Sequence, residues 1–121
     1  MKTINLNQKF DLIDGYWQPK IVAQLNGQYV KLAKFKGEFD WHSHEFEDEF
    51  FQVIKGQIDI LLRDQVITLR QGECFVVPKG VEHKPVATEE AQVLLFEPIA
   101  TLQTGDKATP LTVNIDDQNW I

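Results

Sequence analysis

The 121-residue chain is predicted to be all-β, a sandwich or barrel of short strands with a short N-terminal helix. Three observations lead there. Short runs alternate apolar and polar side chains, the period of a half-buried strand. Turn residues punctuate those runs at close intervals. One run, Glu49 to Lys55, is apolar on both faces, so it belongs inside a layered structure or at a subunit interface.

In chain order, residues 5 to 13 predict the helix. Asn5 and Gln8 form a capping pair, and Leu6, Phe10 and Ile13 recur at helical spacing. Gly15-Tyr16-Trp17-Gln18-Pro19 breaks it. From Lys20 the period changes to two: Ile21, Ala23 and Leu25 share a face, and Asn26-Gly27 is a two-residue hairpin signal. The return strand covers about Gln28 to Phe35, and Gly37 to Asp40 turns the chain into a strand carrying His42 and His44. Strands follow over Glu49–Lys55, Gln57–Leu62, Val66–Leu69, Cys74–Val77, Val81–Ala87 and Ala91–Glu97. Pro78-Lys79-Gly80 and Thr88-Glu89-Glu90 read as turns. After Pro98 the pattern weakens into an extended tail through Thr104-Gly105-Asp106-Lys107 and Thr109-Pro110. Val113, Ile115, Trp120 and Ile121 predict that this tail packs against the rest.

The length predicts one domain over 1–121, with a core of about 20–98, an N-terminal arm 1–19 and a tail 99–121. The chain is 43% hydrophobic and 11% aromatic, which supports a real core. Its net charge of −6 argues against nucleic acid or an anionic membrane as partner and suits a cation. No run approaches a membrane span, and the start lacks an apolar stretch of signal-peptide length. A cytoplasmic protein is expected. The one cysteine, Cys74, excludes an internal disulfide and reads as a small buried apolar residue.

Two of the three histidines, His42 and His44, stand two apart, so on a strand both imidazoles face one way. Glu49 is an odd number of residues beyond His44, and the polar run Glu45 to Asp48 is a turn or bulge that resets its phase. His83 would arrive from a later strand. Three imidazoles and a carboxylate suit a divalent first-row metal: zinc, nickel, iron, manganese or copper. Glu47 and Asp48 are alternative carboxylates, read more simply as a solvated acidic turn.

Residues 37–56 read Gly-x4-His-x-His-x4-Glu-x6-Gly, and residues 72–83 read Gly-x5-Pro-x-Gly-x2-His. Together they resemble the two signature motifs of the cupin superfamily. More narrowly, Asn26 to Pro98 resembles small stand-alone bacterial cupins of the mannose-6-phosphate isomerase-like type. The first motif is one residue short between glycine and histidine, and Ala87 stands where the second usually ends in asparagine. The resemblance implies an antiparallel jelly-roll barrel with the metal inside, held by His42, His44, Glu49 and His83.

Other candidates have plainer readings. Lys31 shares a face with Tyr29, Ala33 and Phe35. It reads as a snorkelling surface lysine, or as a binder of anionic substrate if that face lines the barrel. Glu82 points away from the face of His83. Trp17, Trp41, Phe51, Phe75 and Phe96 read as core aromatics rather than as named pocket residues.

The ligand set leaves one or two open metal positions for a small molecule in the barrel. If the chain is an enzyme, dioxygenase-like and sugar-phosphate isomerase-like chemistry lead. Isomerisation needs a base, and the sequence offers none beyond the ligands. The non-enzymatic alternative is a small-ligand sensor or storage module. Catalytic residues are not identifiable. A homodimer is expected from the two-faced strand 49–55 and the N-terminal hairpin.

Overall fold

The structure, a computed structural model, describes residues 1–102, 105, 108–113 and 118–121. Helix α1 spans Leu6–Asp11. The Asn5 side chain accepts the Gln8 backbone N–H at 3.0 Å and so satisfies one free donor of the first turn. Phe10 and Ile13 bury against Val22 and Leu32, and Ile54, Leu94 and Ile121 pack on the same cluster.

Seven strands follow: β1 Lys20–Leu25, β2 Gln28–Glu38, β3 Glu49–Lys55, β4 Gln57–Leu62, β5 Val66–Arg70, β6 Cys74–Val77 and β7 His83–Pro98. All their pairings are antiparallel. The order is β1-β2-β7-β3-β6, with β4 pairing both β5 and β7. Asn26 and Gly27 have φ of 50° and 76°, the left-handed pair that a tight hairpin between β1 and β2 demands.

β7 is the strand on which the fold turns. β2 runs along one side of it from Val86 to Pro98. The other side is divided: β3 pairs with Gln92–Phe96 and β4 with His83–Val86. One bent strand thus joins two parts of the sheet, which folds over without closing into a ring among the described residues. The bend is a bulge. Phe35 lies opposite Ala91 and Gly37 opposite Ala87, so residues 88–90 stand out of the ladder and face solvent. This corrects two expectations. The segments Val81–Ala87 and Ala91–Glu97 are one strand, because pairing with β2 resumes beyond Thr88-Glu89-Glu90. β2 likewise continues past Phe35 to Glu38.

Between the folded-over parts sits the main core, with Phe35, Phe51, Val53, Ile58, Ile60, Val93 and Leu95 among its members. Ile54, on the opposite face of β3, is covered by the helix cluster, so part of that strand's second apolar face is used within the chain. The tail returns to the body. Trp120 bridges Ile21 in parallel, and Ile121 joins the helix cluster. Thr104, Asp106, Lys107 and Ile115, expected in that tail, lie outside the described residues. Cys74 is exposed rather than buried, because β6 is an edge strand with a solvent-facing side.

Candidate metal centre

The histidines are placed by backbone, and not by a regular strand. His42 and His83 exchange both backbone hydrogen bonds, at 3.0 and 2.9 Å, as an isolated antiparallel bridge. Gly80, with φ of 81°, donates its N–H to the His44 carbonyl at 2.7 Å. The Pro78-Lys79-Gly80 turn therefore clamps the His44 segment, and only glycine holds that left-handed conformation at low cost. Asp48 adds a second clasp by accepting the Lys79 N–H at 2.8 Å. That use, and its exposure, keep Asp48 out of the cluster. Glu49 is the first residue of β3, beyond the irregular stretch 45–48, and its side chain turns inward to the histidines.

His42, His44, Glu49 and His83 are all buried, and one donor atom from each lies within 4.8 Å of the others. Nδ1 of His42 donates to the Asp40 carbonyl at 2.8 Å, and Nδ1 of His83 to the Val81 carbonyl at 2.9 Å. These bonds fix both tautomers and leave the Nε2 lone pairs facing the cluster centre. Nε2 of all three histidines is buried without a hydrogen-bond partner. The His44 Nε2 is 3.0 Å from Glu49 Oε2, close enough to pair electrostatically but not aligned as a hydrogen bond. His83 Nε2 is 3.7 Å from Glu49 Oε1. Orphaned buried nitrogens are costly in water-free surroundings. A divalent cation among them satisfies all four groups together, and the donor set fits one.

The metal-free electrostatics are strained in the same sense. Burial, with the neighbouring His83, pushes His42 down to about 4. Burial also opposes charge on His44, but the Glu49 carboxylate against it prevails and raises its pKa above the ordinary value. Burial would raise Glu49, yet His44 and His83 hold it well below the usual range. Below that raised pKa the His44 proton must therefore leave before a metal enters. Metal affinity should fall about tenfold per pH unit on the acid side of that pKa, one proton being released per metal bound. Calorimetric titration in two buffers of different ionisation enthalpy counts that proton. An affinity flat between about pH 5.5 and 7.5 would contradict the arrangement.

A second charged group lies behind Glu49, and the sequence did not reveal it. Lys31 Nζ is 3.0 Å from Glu97 Oε1, and the two side chains are 0% and 1% exposed. Lys31 also donates to the Thr101 carbonyl at 3.4 Å. Lys31 is thus not a surface lysine, and its charge is already committed. Glu97 abuts Glu49. Burial and the Glu49 charge push it up to about 8, against the pull of Lys31. The only signal in the sequence was that Lys31 and Glu97 alternate in phase with core residues of their strands.

A family profile described as a cupin domain matches residues 28–97, which contain all four cluster residues. The chain belongs to the cupin superfamily. A cupin-2 domain-containing protein from Shewanella frigidimarina shares 49% identity and superposes with a TM-score of 0.78, over 78% of this chain and 93% of that one. NMB1881 from Neisseria meningitidis shares 35% identity with a TM-score of 0.74, over 80% and 99%. The uncharacterized protein YdbB of Bacillus subtilis is 36% identical over 64 residues, 52% of this chain and 57% of that protein.

The interior of this cupin beside the cluster is a small apolar pocket. Phe35, Phe51, Pro85 and Leu95 line it from the sheet, and Trp17, Pro19 and Phe39 from the segments around it; its polar members are His42 and Glu49. Of the aromatics weighed from the sequence, Trp17 and Phe51 are here. Phe75 packs at the edge of the core, and Phe96 lines a different cleft. Trp41 stacks under the Arg63 guanidinium at 3.8 Å, and Arg63 pairs with Glu82 at 2.9 Å on the surface.

Proposed function

We propose that this cupin binds one divalent first-row transition metal through Nε2 of His42, His44 and His83 and the Glu49 carboxylate, and uses it on a small molecule in oxygenase-like chemistry. The observation that carries the reading is the convergence of three buried Nε2 atoms, none of them hydrogen-bonded, on one buried carboxylate. When bound, such a metal supplies Lewis acidity and, if iron or copper, reactivity toward dioxygen. The chain's own part is positional. The Asp40 and Val81 carbonyls aim two imidazoles, and the apolar walls exclude water and strengthen the electrostatics within.

Isomerase-like chemistry is less well served. It needs a base free to carry a proton near the substrate. The titratable side chains lining the pocket are two of the proposed ligands, while Lys31 and Glu97 are paired with each other. Oxygen uptake by iron-loaded protein when small apolar chelating substrates are added, absent in His83→Ala, is the expected result. Turnover of mannose 6-phosphate without oxygen uptake would contradict it.

A homodimer is part of the same proposal. Phe46 and Val76 are 78% and 47% exposed, and with Phe50 and Phe96 they border one cleft on the β3–β6 side. An apolar patch of this kind is commonly an interface. Light scattering should give twice the 14.0 kDa chain mass, and Phe46→Glu/Val76→Glu should halve it. A wild-type monomer at micromolar concentration would overturn the dimer and leave the metal reading standing.

A further inference from the structure

We infer that Trp17 is a specificity-determining residue: the site takes a small chelating molecule with an apolar body no larger than the slot Trp17 leaves, and it rejects sugars and sugar phosphates. The inference rests on the metal reading above.

Three observations converge. First, the polar side chains of the pocket wall are His42 and Glu49, both turned to the metal cluster, and every other lining side chain is apolar. A ligand hydroxyl away from the metal would be buried without a partner. Nor does a cation line the wall to meet a phosphate, Lys31 being held by Glu97 and the Thr101 carbonyl.

Second, the slot is narrow. Its free space has room for about one or two waters. Third, Trp17 closes that space from the arm before β1 in an unusual backbone state. Its φ is 61°, an outlier for a bulky side chain. The surroundings hold it there. Its N–H donates to the Lys34 carbonyl at 2.9 Å and its indole N–H to the Lys36 carbonyl at 3.0 Å. Its ring stacks on Phe35 and Phe39, with centroids at 4.3 and 4.8 Å. A left-handed tryptophan held by two carbonyls and two rings, with its ring against free space beside the metal cluster, is placed to select what enters.

The probes are hydroxamates, which share one bidentate head and differ in body. The full-length protein is loaded with cobalt(II), and its visible spectrum is titrated with acetohydroxamate, glycolohydroxamate and benzohydroxamate. Wild type should bind acetohydroxamate at least about tenfold more tightly than glycolohydroxamate, because the added hydroxyl is buried unpaired. Benzohydroxamate should bind wild type more weakly than acetohydroxamate. Trp17→Gly, whose glycine accepts the left-handed backbone, should keep its cobalt and bind benzohydroxamate at least about tenfold more tightly than wild type does. Equal binding of the aceto and glycolo compounds by cobalt-loaded wild type overturns the inference alone. So does an unchanged size ranking in a cobalt-loaded Trp17→Gly protein. If that variant does not fold, Trp17→Phe, which keeps a stacking ring of smaller size, is read by the same benzohydroxamate comparison, and an unchanged ranking there overturns the inference. Failure of wild type to take up cobalt overturns the metal reading and this inference with it.

Discussion

His83→Ala is expected to weaken metal binding by more than about 100-fold while leaving a folded protein. Losing a group that only orients a ligand costs roughly 10- to 100-fold in affinity, so loss of a ligand itself should exceed that range. His83 is the most telling choice, because it alone comes from β7 and is fully buried. Its backbone bonds to His42 survive the substitution, so the two segments stay joined. The readout is thermal. Metal at 100 times its Kd stabilises the wild type by about 2.7 kcal/mol, which for a chain of this size raises Tm by on the order of 10 °C. In His83→Ala that rise should vanish at the same metal concentration. Melting in chelator measures separately what the variant loses by leaving a cavity. A full metal-induced rise in the variant would show that His83 is not a ligand.

Glu97→Leu should cost about 3 kcal/mol or more in the metal-free protein, because it leaves the buried Lys31 ammonium without its carboxyl partner in the interior. A stranded buried amine has a folded pKa below its unfolded value of about 10.4. Its deficit is therefore present at neutral pH and shrinks as pH rises toward that value, where the amine is neutral in both states. The double change Lys31→Met/Glu97→Leu removes both charges and should recover most of the loss, since apolar replacement of a buried pair is often neutral or stabilising. Urea unfolding in chelator measures all three proteins. A cost below about 1 kcal/mol for Glu97→Leu alone would mean that water reaches Lys31 and that the pair is not truly buried.

That pair shows where sequence reading stopped. Its members are 66 positions apart, and although each alternates in phase with core residues of its strand, a lysine or a glutamate taken alone reads as a solvent-facing residue. The register of β2 on β7 brings them together, with Tyr29 opposite Glu97 and Lys31 opposite Leu95. No local pattern encodes that register. The histidines were legible for the opposite reason. Their types are rare in this chain, and their spacings are local or follow a recognisable motif. The helix cap at Asn5 and the Asn26-Gly27 turn were legible because capping and left-handed turns need particular side chains.

Errors clustered where three-dimensional context overrides local chemistry. Thr88-Glu89-Glu90 looks like a turn, but three polar residues serve equally well as a solvent-facing bulge in a bent strand. Cys74 has core-like composition, yet it is exposed because β6 is an edge. Trp17 does belong to the main core, as the sequence indicates, but nothing in Tyr16-Trp17-Gln18 announces its left-handed backbone or its place beside the histidine cluster.

The most direct test of the account is metal content. Protein purified without an affinity tag, and then reconstituted with iron, copper, zinc, nickel or manganese in turn, should carry close to one metal per chain for at least one of them by mass spectrometry. His42→Ala/His83→Ala, folded by circular dichroism, should carry none. Wild type that stays metal-free with every ion, or a double variant that loads as well as wild type, would contradict it.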